Sequence, residues 1–193
     1  MFMPTQQKKE HNYFGGYTLL ETLVAIVVLS LAIVAPLGIA SKSLFQALLA
    51  KEQLTAFYLA QEGMEAMRHL RDTNILRTGG GPTGYDWLDG IPVPLDQDLY
   101  IDVSTIGSGA PHRVEPDLCP GGVCPPLTLD PNSGLYAYDE LNDPASPFTR
   151  IVRVTPSTNG NPDEVSVIVT VNWSVGENNR SVVLREVLFN WQN

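Results

Sequence analysis

The feature that most constrains this chain is an apolar run near its N-terminus, from Gly15 to Ala40, with the sequence GGYTLLETLVAIVVLSLAIVAPLGIA. At about 1.5 Å per helical residue, the part from Thr18 to Ala40 is long enough to cross a hydrocarbon core of about 30 Å. Glu21 is its one charged residue. The length and the near absence of charge favour a membrane-spanning helix over a buried helix in a soluble core.

The residues before this run are polar and include Lys8 and Lys9. A secretory signal has the opposite order, because its small-residue cleavage site follows the apolar segment. A cut at Gly15-Gly16 would therefore leave the apolar segment on the mature chain. The two lysines favour a cytoplasmic N-terminus by the positive-inside rule. We expect a single-pass protein of the cytoplasmic (inner) membrane, with most of the chain outside the cytoplasm.

The helix is predicted to continue well beyond the membrane, since no turn cluster follows until Gly79. Pro36 lacks a backbone donor and crowds the preceding turn, so we expect a kink or a locally unwound turn there. Residues 41–76 predict an amphipathic helix. Its expected packing row contains Phe45, Leu49, Ala56, Leu59, Gly63, Met67 and Leu70.

The opposite side of this amphipathic helix is expected to face solvent. It carries Lys51, Glu62, Arg68 and Arg71, and His69 is expected to be an exposed helix residue. Gly63 lowers helix propensity relative to Ala, and its lack of a side chain suits close approach of another element.

Residues 78–147 predict an extended, loop-rich surface, opened by TGGGPTG. One strand is predicted at 99–105, where Leu99, Ile101 and Val103 alternate with polar residues. Long ordered loops often form binding surfaces, and disorder is the alternative for this region.

Residues 148–193 predict three antiparallel strands. The first covers FTRIVRVT, and the second covers EVSVIVTVNWS, in which residues 165, 167, 169, 171 and 173 share one apolar face. The third covers RSVVLREVLFNW, after a turn at VGENN. The predicted fold class is α+β, in which the amphipathic half of the long helix covers the apolar face of a C-terminal antiparallel sheet.

The charge balance argues against direct nucleic-acid binding. The chain has a formal net charge of −9 and a sequence pI near 4.7. Acidic surfaces repel phosphates, and the basic residues after Arg77 are scattered rather than clustered.

Cys119 and Cys124 are the only two cysteines, in the segment CPGGVC. Two thiols do not complete a four-ligand zinc site, even with His112. The Gly-Gly turn would let the two sulfurs meet, so we expect a small disulfide loop in an oxidising compartment. Two free thiols in a reducing compartment are the alternative.

The sequence contains no recognisable catalytic set, and we expect no enzyme, cofactor or metal. The three histidines, at 11, 69 and 112, are isolated, and no nucleophile elbow, phosphate loop or zinc-protease motif occurs. Acidic and amide side chains at 130, 132, 139, 140 and 143 raise the question of calcium. A calcium loop starting at Asp130 would place Leu141 where a bidentate Glu is needed, so Asx-turns explain this segment better.

Glu21 is the most informative residue of the apolar run. A carboxylate inside a membrane costs roughly 3 kcal/mol on insertion scales, so it requires a partner. If the chain is cut after Gly16, the new α-amine of Tyr17 is a cation at the same depth. Tyr17 and Glu21 also lie about one helical turn apart.

On these residues the chain resembles type IV pilins and type II secretion pseudopilins. Their signal has Gly, an aromatic residue, Thr, Leu, an aliphatic residue and Glu at the head of an apolar helix. These positions fall on Gly16 to Glu21, with Tyr17 in place of the commoner Phe. The resemblance implies cleavage between Gly16 and Tyr17 by a prepilin peptidase, and N-methylation of Tyr17. It also implies that Glu21 pairs with the N-terminal amine of a neighbouring subunit.

The resemblance implies a structural filament subunit, and the loop-rich middle suggests a minor one. Its expected partners are other pilin or pseudopilin subunits, the prepilin peptidase/methyltransferase and the membrane. The expected organisation is a leader at 1–16, a membrane and filament-core helix at 17–40, an amphipathic helix at 41–76 and an extracytoplasmic domain at 77–193. A membrane-anchored binding or adhesive module that never polymerises is the alternative. Pili, secretion pseudopili and DNA-uptake filaments share this signal, so it does not distinguish among them.

Overall fold

The computed structural model describes residues 16, 18–78, 86–103, 116–138 and 144–191. The chain divides into two compact units, Met1–Ala47 and Leu48–Asn193. One helix, α1, spans Leu19–Thr78 and contains the boundary between them. The predicted helix over 18–76 is thus present. The leader and Tyr17 lie outside the described residues.

The helix remains α-helical through Pro36, so the locally unwound turn considered for this position is not present. A bend there stays a prediction. Hydroxyl groups of the apolar segment bond back to the helix itself: Ser30 Oγ donates to the carbonyl of Ile26 at 2.8 Å, and Ser41 Oγ to that of Leu37 at 3.0 Å. Such bonds satisfy the hydroxyl groups within the helix itself.

The second unit contains a five-stranded antiparallel sheet in the order β2-β1-β5-β6-β7. Its strands are β1 (Asp98–Ile101), β2 (Pro116–Leu118), β5 (Thr149–Pro156), β6 (Glu164–Val175) and β7 (Asn178–Phe189). A second, two-stranded sheet pairs β3 (Thr128–Leu129) with β4 (Tyr136–Ala137). The predicted three-stranded meander is confirmed as β5, β6 and β7.

The predicted strand at 99–105 is shorter in the structure. It forms β1 at Asp98–Ile101, and Val103 is buried beyond its end. Residues 104 and 105 lie outside the described residues.

The core of this unit lies between the sheet and the C-terminal part of α1. On β6 the predicted inward face is confirmed, because Val165, Val167, Val169, Val171 and Trp173 are all buried. The helix contributes the following buried residues: Ala56, Leu59, Ala60, Met64, Ala66, Met67, Leu70 and Ile75. This arrangement confirms the α+β layout.

Two members of the predicted packing row behave differently. Phe45 is 55% exposed and Leu49 is only half-buried, so the buried row begins at Ala56. Phe45 belongs to the first unit, whereas the sheet and its cover belong to the second. Glu52 interrupts the apolar row between Leu49 and Ala56, and the buried part of the row begins after this interruption.

Gly63 allows the close approach that the sequence predicts. A Cβ at this position would lie 3.0 Å from Arg150 Cδ and 3.2 Å from Val169 Cγ1. Both distances are shorter than ordinary van der Waals contacts, so β5 and β6 reach the helix here because the side chain is missing.

Arg150 is the large polar side chain of this core. It is 0% exposed, and its guanidinium donates to Glu62 Oε2 at 2.7 Å and to the carbonyls of Leu59 at 3.3 Å and Ile101 at 2.7 Å. The ring of Tyr138 lies 5.9 Å from its Cζ. Buried charges are stable only with such partners.

The prediction that Arg68 and Arg71 face solvent holds only in part, because their side chains are 38% and 19% exposed. Arg68 donates from Nε to Glu186 of β7 at 2.8 Å and also pairs with Glu65. The hydrogen bond to Glu186 raises the pKa of Arg68. Arg71 is half-buried and pairs with Asp72 at 2.8 Å. Long side chains of this kind cover apolar surface with their stems while their heads find acidic partners. Lys51, Glu62 and His69 are exposed, as predicted.

Candidate functional site

The N-terminus of α1 presents an open approach to the chain. Gly16 is exposed and lies just before the helix, and no described residue has a heavy atom within 4 Å of where its Cβ would be. Tyr17, the predicted site of cleavage and methylation, lies outside the described residues. No residue in the described part of the chain therefore covers the backbone at Gly16.

Thr18 caps the helix. The backbone N–H of Glu21 donates to Thr18 Oγ1 at 3.3 Å, and the N–H of Thr22 donates to the carbonyl of Thr18 at 3.2 Å. Thr followed three residues later by Glu is the pattern of a capping box, and a Thr cap is worth about 1 kcal/mol. This capping role was not predicted from the sequence, although T-x-x-E before an apolar run is a recognisable signal.

Glu21 therefore lies in the first turn of α1, where the helix dipole favours a negative charge. Its side chain is exposed and makes no ion pair with any residue that the structure describes. The first turn of α1 thus contains a carboxylate that the helix dipole stabilises. This carboxylate is accessible to a cation that is not among the described residues.

The helix surface that follows Glu21 is apolar on every side. Its large apolar residues from Leu23 to Ile39 are 49–68% exposed, and none of the most apolar window is buried against described residues. Exposing such a surface to water costs about 25 cal/mol per Å². A helix of this length and composition meets the requirements for crossing a membrane.

Cys119 and Cys124 are joined by a disulfide bond in the structure, with their Cα atoms 4.4 Å apart. The turn between them contains Gly121 and Gly122 with φ values of 60° and 79°, a left-handed conformation that glycine adopts without strain. Cys119 N–H donates to the carbonyl of Asp98 at 3.0 Å, which attaches this loop to the start of β1.

The segment that raised the question of calcium is an Asx-turn at Asp130, as predicted. Asp130 Oδ1 accepts the backbone N–H of Asn132 at 2.8 Å, and Oδ2 accepts the hydroxyl of Ser133. Residues 139, 140 and 143 lie outside the described residues. Within the described ranges, no group of three or more His, Cys, Asp or Glu side chains is placed to hold a metal ion.

A second contact missed from the sequence attaches the loop region to the helix. The buried amide of Asn74 donates to the carbonyl of Trp87 at 3.1 Å and to that of Asp89 at 2.8 Å. Trp87 itself is buried in the core. One polar residue near the end of α1 thus positions the first described part of the loop-rich middle.

Comparison with protein-family models finds a prokaryotic N-terminal methylation motif at residues 11–35. This motif is the signature of type IV pilins and pseudopilins, so the suspected resemblance is confirmed for this part of the chain. Comparison of the chain with curated proteins and with solved structures found no match. The motif and the apolar helix together indicate a membrane-anchored, prepilin-type protein, and the proteins defined by this motif are structural rather than enzymatic.

Proposed function

We propose that this chain is a structural subunit of a type IV pilus or a type II secretion pseudopilus. The observation that carries the proposal is the methylation motif at residues 11–35, which leads directly into an apolar helix segment that no described residue covers. The methylation motif indicates processing at the head of the helix. The exposed apolar surface of the helix then requires burial against lipid or other subunits.

The processing step is cleavage between Gly16 and Tyr17 by a prepilin peptidase on the cytoplasmic side, followed by N-methylation of Tyr17. The exposure of Gly16 supports this step, because a protease must contact the backbone beside the bond that it cuts. The lysines at 8 and 9 support the cytoplasmic location of the leader.

The assembly step places the helix first in the membrane and then in the core of a filament. Glu21 pairs there with the α-amine of a neighbouring subunit. A carboxylate at this depth is stable only next to a cation, and Glu21 makes no ion pair within the described part of its own chain. The subunit has no catalytic role of its own in this proposal.

The assembly step is tested with Glu21→Ala in cells that carry a functional filament system. Single cysteines introduced along 23–39 report helix–helix contacts by cross-linking. We expect Glu21→Ala to be inserted and cleaved but not cross-linked into filaments, with Glu177→Ala, an exposed acid of the β6–β7 turn, as the matched control.

Normal incorporation of Glu21→Ala would refute the pairing role. A wild-type chain that is cleaved yet remains monomeric in the membrane would instead support the anchored binding module. A filament subunit and an anchored binding module would both have the sheet and the membrane helix. Only assembly into filaments distinguishes the two proposals.

A further inference from the structure

The two edges of the five-stranded sheet differ sharply. One edge is β2, a strand of three residues that begins with Pro116. The other edge is β7, a strand of twelve residues that contains neither proline nor lysine. Short strands and prolines are common ways in which proteins prevent a sheet edge from pairing with another chain. The β2 edge has both, and the β7 edge has neither.

The β7 strand is also regular. Its twelve residues pair with β6 without a skipped position, from Glu164–Phe189 to Val175–Asn178, so no bulge twists the edge away. Among the described residues, no strand pairs with its outer side. At about 3.3 Å per residue, this leaves roughly 40 Å of strand whose outward N–H and C=O groups have no ladder partner.

One face of β7 carries apolar residues in solvent. Residues 182, 184, 186 and 188 point toward the core, as the contact of Glu186 with Arg68 and the burial of Leu188 show. The opposite face carries Val183, Arg185, Val187 and Phe189, which we call the β7 stripe. Its three apolar members are 55%, 40% and 51% exposed, respectively.

The β7 stripe contains an unpaired cation. Arg185 is exposed and makes no hydrogen bond or ion pair with any described residue. Arg153, on the same face of the sheet, is different because it is paired with Asp98 at 2.9 Å. In a chain of net charge −9, a free guanidinium between two exposed valines is suited to an acidic residue of a partner.

We propose that β7 is a docking edge for an extended strand of a different protein, which joins the sheet as a sixth strand. The backbone of β7 would supply the hydrogen bonds, as in other cases of strand addition. The incoming strand would place apolar side chains beside Val183, Val187 and Phe189, and a carboxylate beside Arg185. This proposal does not depend on filament assembly.

The test uses the full-length chain in lipid nanodiscs and a labelled synthetic peptide, TVTVTDTVTVT, with empty nanodiscs as a blank. Fluorescence anisotropy measures binding, and hydrogen exchange maps the amides that become protected. We expect saturable binding and protection confined to β7. N-methylation of one alternate set of peptide amides should abolish binding, whereas N-methylation of the other set should not, because only one set faces β7.

A charge exchange tests the side-chain contact. Replacing the peptide Asp with Lys should weaken binding to the wild-type chain by about three- to tenfold, since cross-strand charge pairs contribute modestly. Arg185→Glu should reverse this preference. Arg180→Glu is the matched control, because Arg180 lies on the other face of the same strand and should leave the preference unchanged.

Absence of saturable binding, equal effects of both N-methylation patterns, or protection outside β7 would each overturn the proposal. It would also be wrong if the peptide-free chain forms dimers in which the β7 amides are already protected, because a second copy would then occupy the edge.

Discussion

The fully buried guanidinium of Arg150 donates a 2.7 Å hydrogen bond to the Glu62 carboxylate and so links β5 to α1. The same group donates to a carbonyl of the helix and to the carbonyl of Ile101 in β1. One side chain thus joins three elements of the second unit. Glu62 remains 43% exposed, so the pair lies at the border of the core and water solvates the acid in part.

Arg150→Ala should lower the free energy of unfolding by about 3–5 kcal/mol, because it opens a cavity and removes the hydrogen bonds that Arg150 donates to the carbonyl of Ile101 and to Glu62. Urea unfolding of the full chain in detergent, followed by tryptophan fluorescence, measures this. Arg153→Ala is the control on the same strand and should cost at most about 1 kcal/mol, because its ion pair is exposed. Equal losses would contradict the structural role given to Arg150.

Gly63→Ala should destabilise the second unit by about 1–2 kcal/mol despite the higher helix propensity of alanine. The added methyl group would be too close to Arg150 and Val169. Combining it with Val169→Ala should give a smaller loss than the sum of the two single losses. Gly38→Ala, which meets no atom within 4 Å, is the control. If Gly63→Ala stabilises the chain, the strands do not pack against the helix at Gly63 as closely as described.

The disulfide should form in the cell if this part of the chain lies outside the cytoplasm. Protein taken directly from membranes should resist thiol alkylation until it is reduced. Replacing both cysteines with Ser should lower stability by about 2 kcal/mol, the value that chain entropy gives for so short a loop. Free thiols in freshly isolated protein would argue against the proposed topology.

The carboxyl group of Asp130, which forms the Asx-turn, should titrate at a lower pH than an ordinary aspartate. The hydroxyl of Ser133, followed by the backbone N–H of Asn132, lowers the pKa of Asp130. Because the pKa of Asp130 is lower in the folded chain than in the unfolded chain, its carboxylate stabilises the fold at pH values above the unfolded-state pKa. This stabilisation is lost as the pH falls through the folded-state pKa. Carboxyl NMR should show Asp130 titrating below 3.8, the ordinary value, and Ser133→Ala should raise its pKa. An unchanged titration in Ser133→Ala would show that the hydroxyl has no such effect.

Much of the architecture can be read from side-chain periodicity. The alternating valines of β6 predict both the strand and its buried face, and the long apolar run predicts the start of α1. These signals are strong because each repeats many times within one element. The short strands β2, β3 and β4 carry two or three residues each, which is too few for a period to appear.

The polar contacts of the core were not predicted, because they join residues far apart in the chain. Arg150 precedes Val152 and Val154 at steps of two, so alternation alone places it on the buried face. An arginine on that face requires partners, yet nothing local identifies Glu62 or the carbonyl of Ile101. The same holds for Asn74 and for Arg68 with Glu186. The N-terminal site could be predicted, because Gly16, Thr18 and Glu21 lie within six consecutive residues and form a local motif.

We propose above all that the chain is cut at the head of its apolar helix and is then assembled. The most direct test is the intact mass of the protein extracted from membranes of cells with an active prepilin peptidase. We predict a mature chain that begins at Tyr17 and is one methyl group heavier than the bare sequence. Gly16→Val should remain uncut, whereas Gly15→Ala should be cut. If the wild-type chain keeps its leader while another prepilin in the same cells is processed, the chain is not a substrate of the prepilin peptidase and the proposed function is wrong.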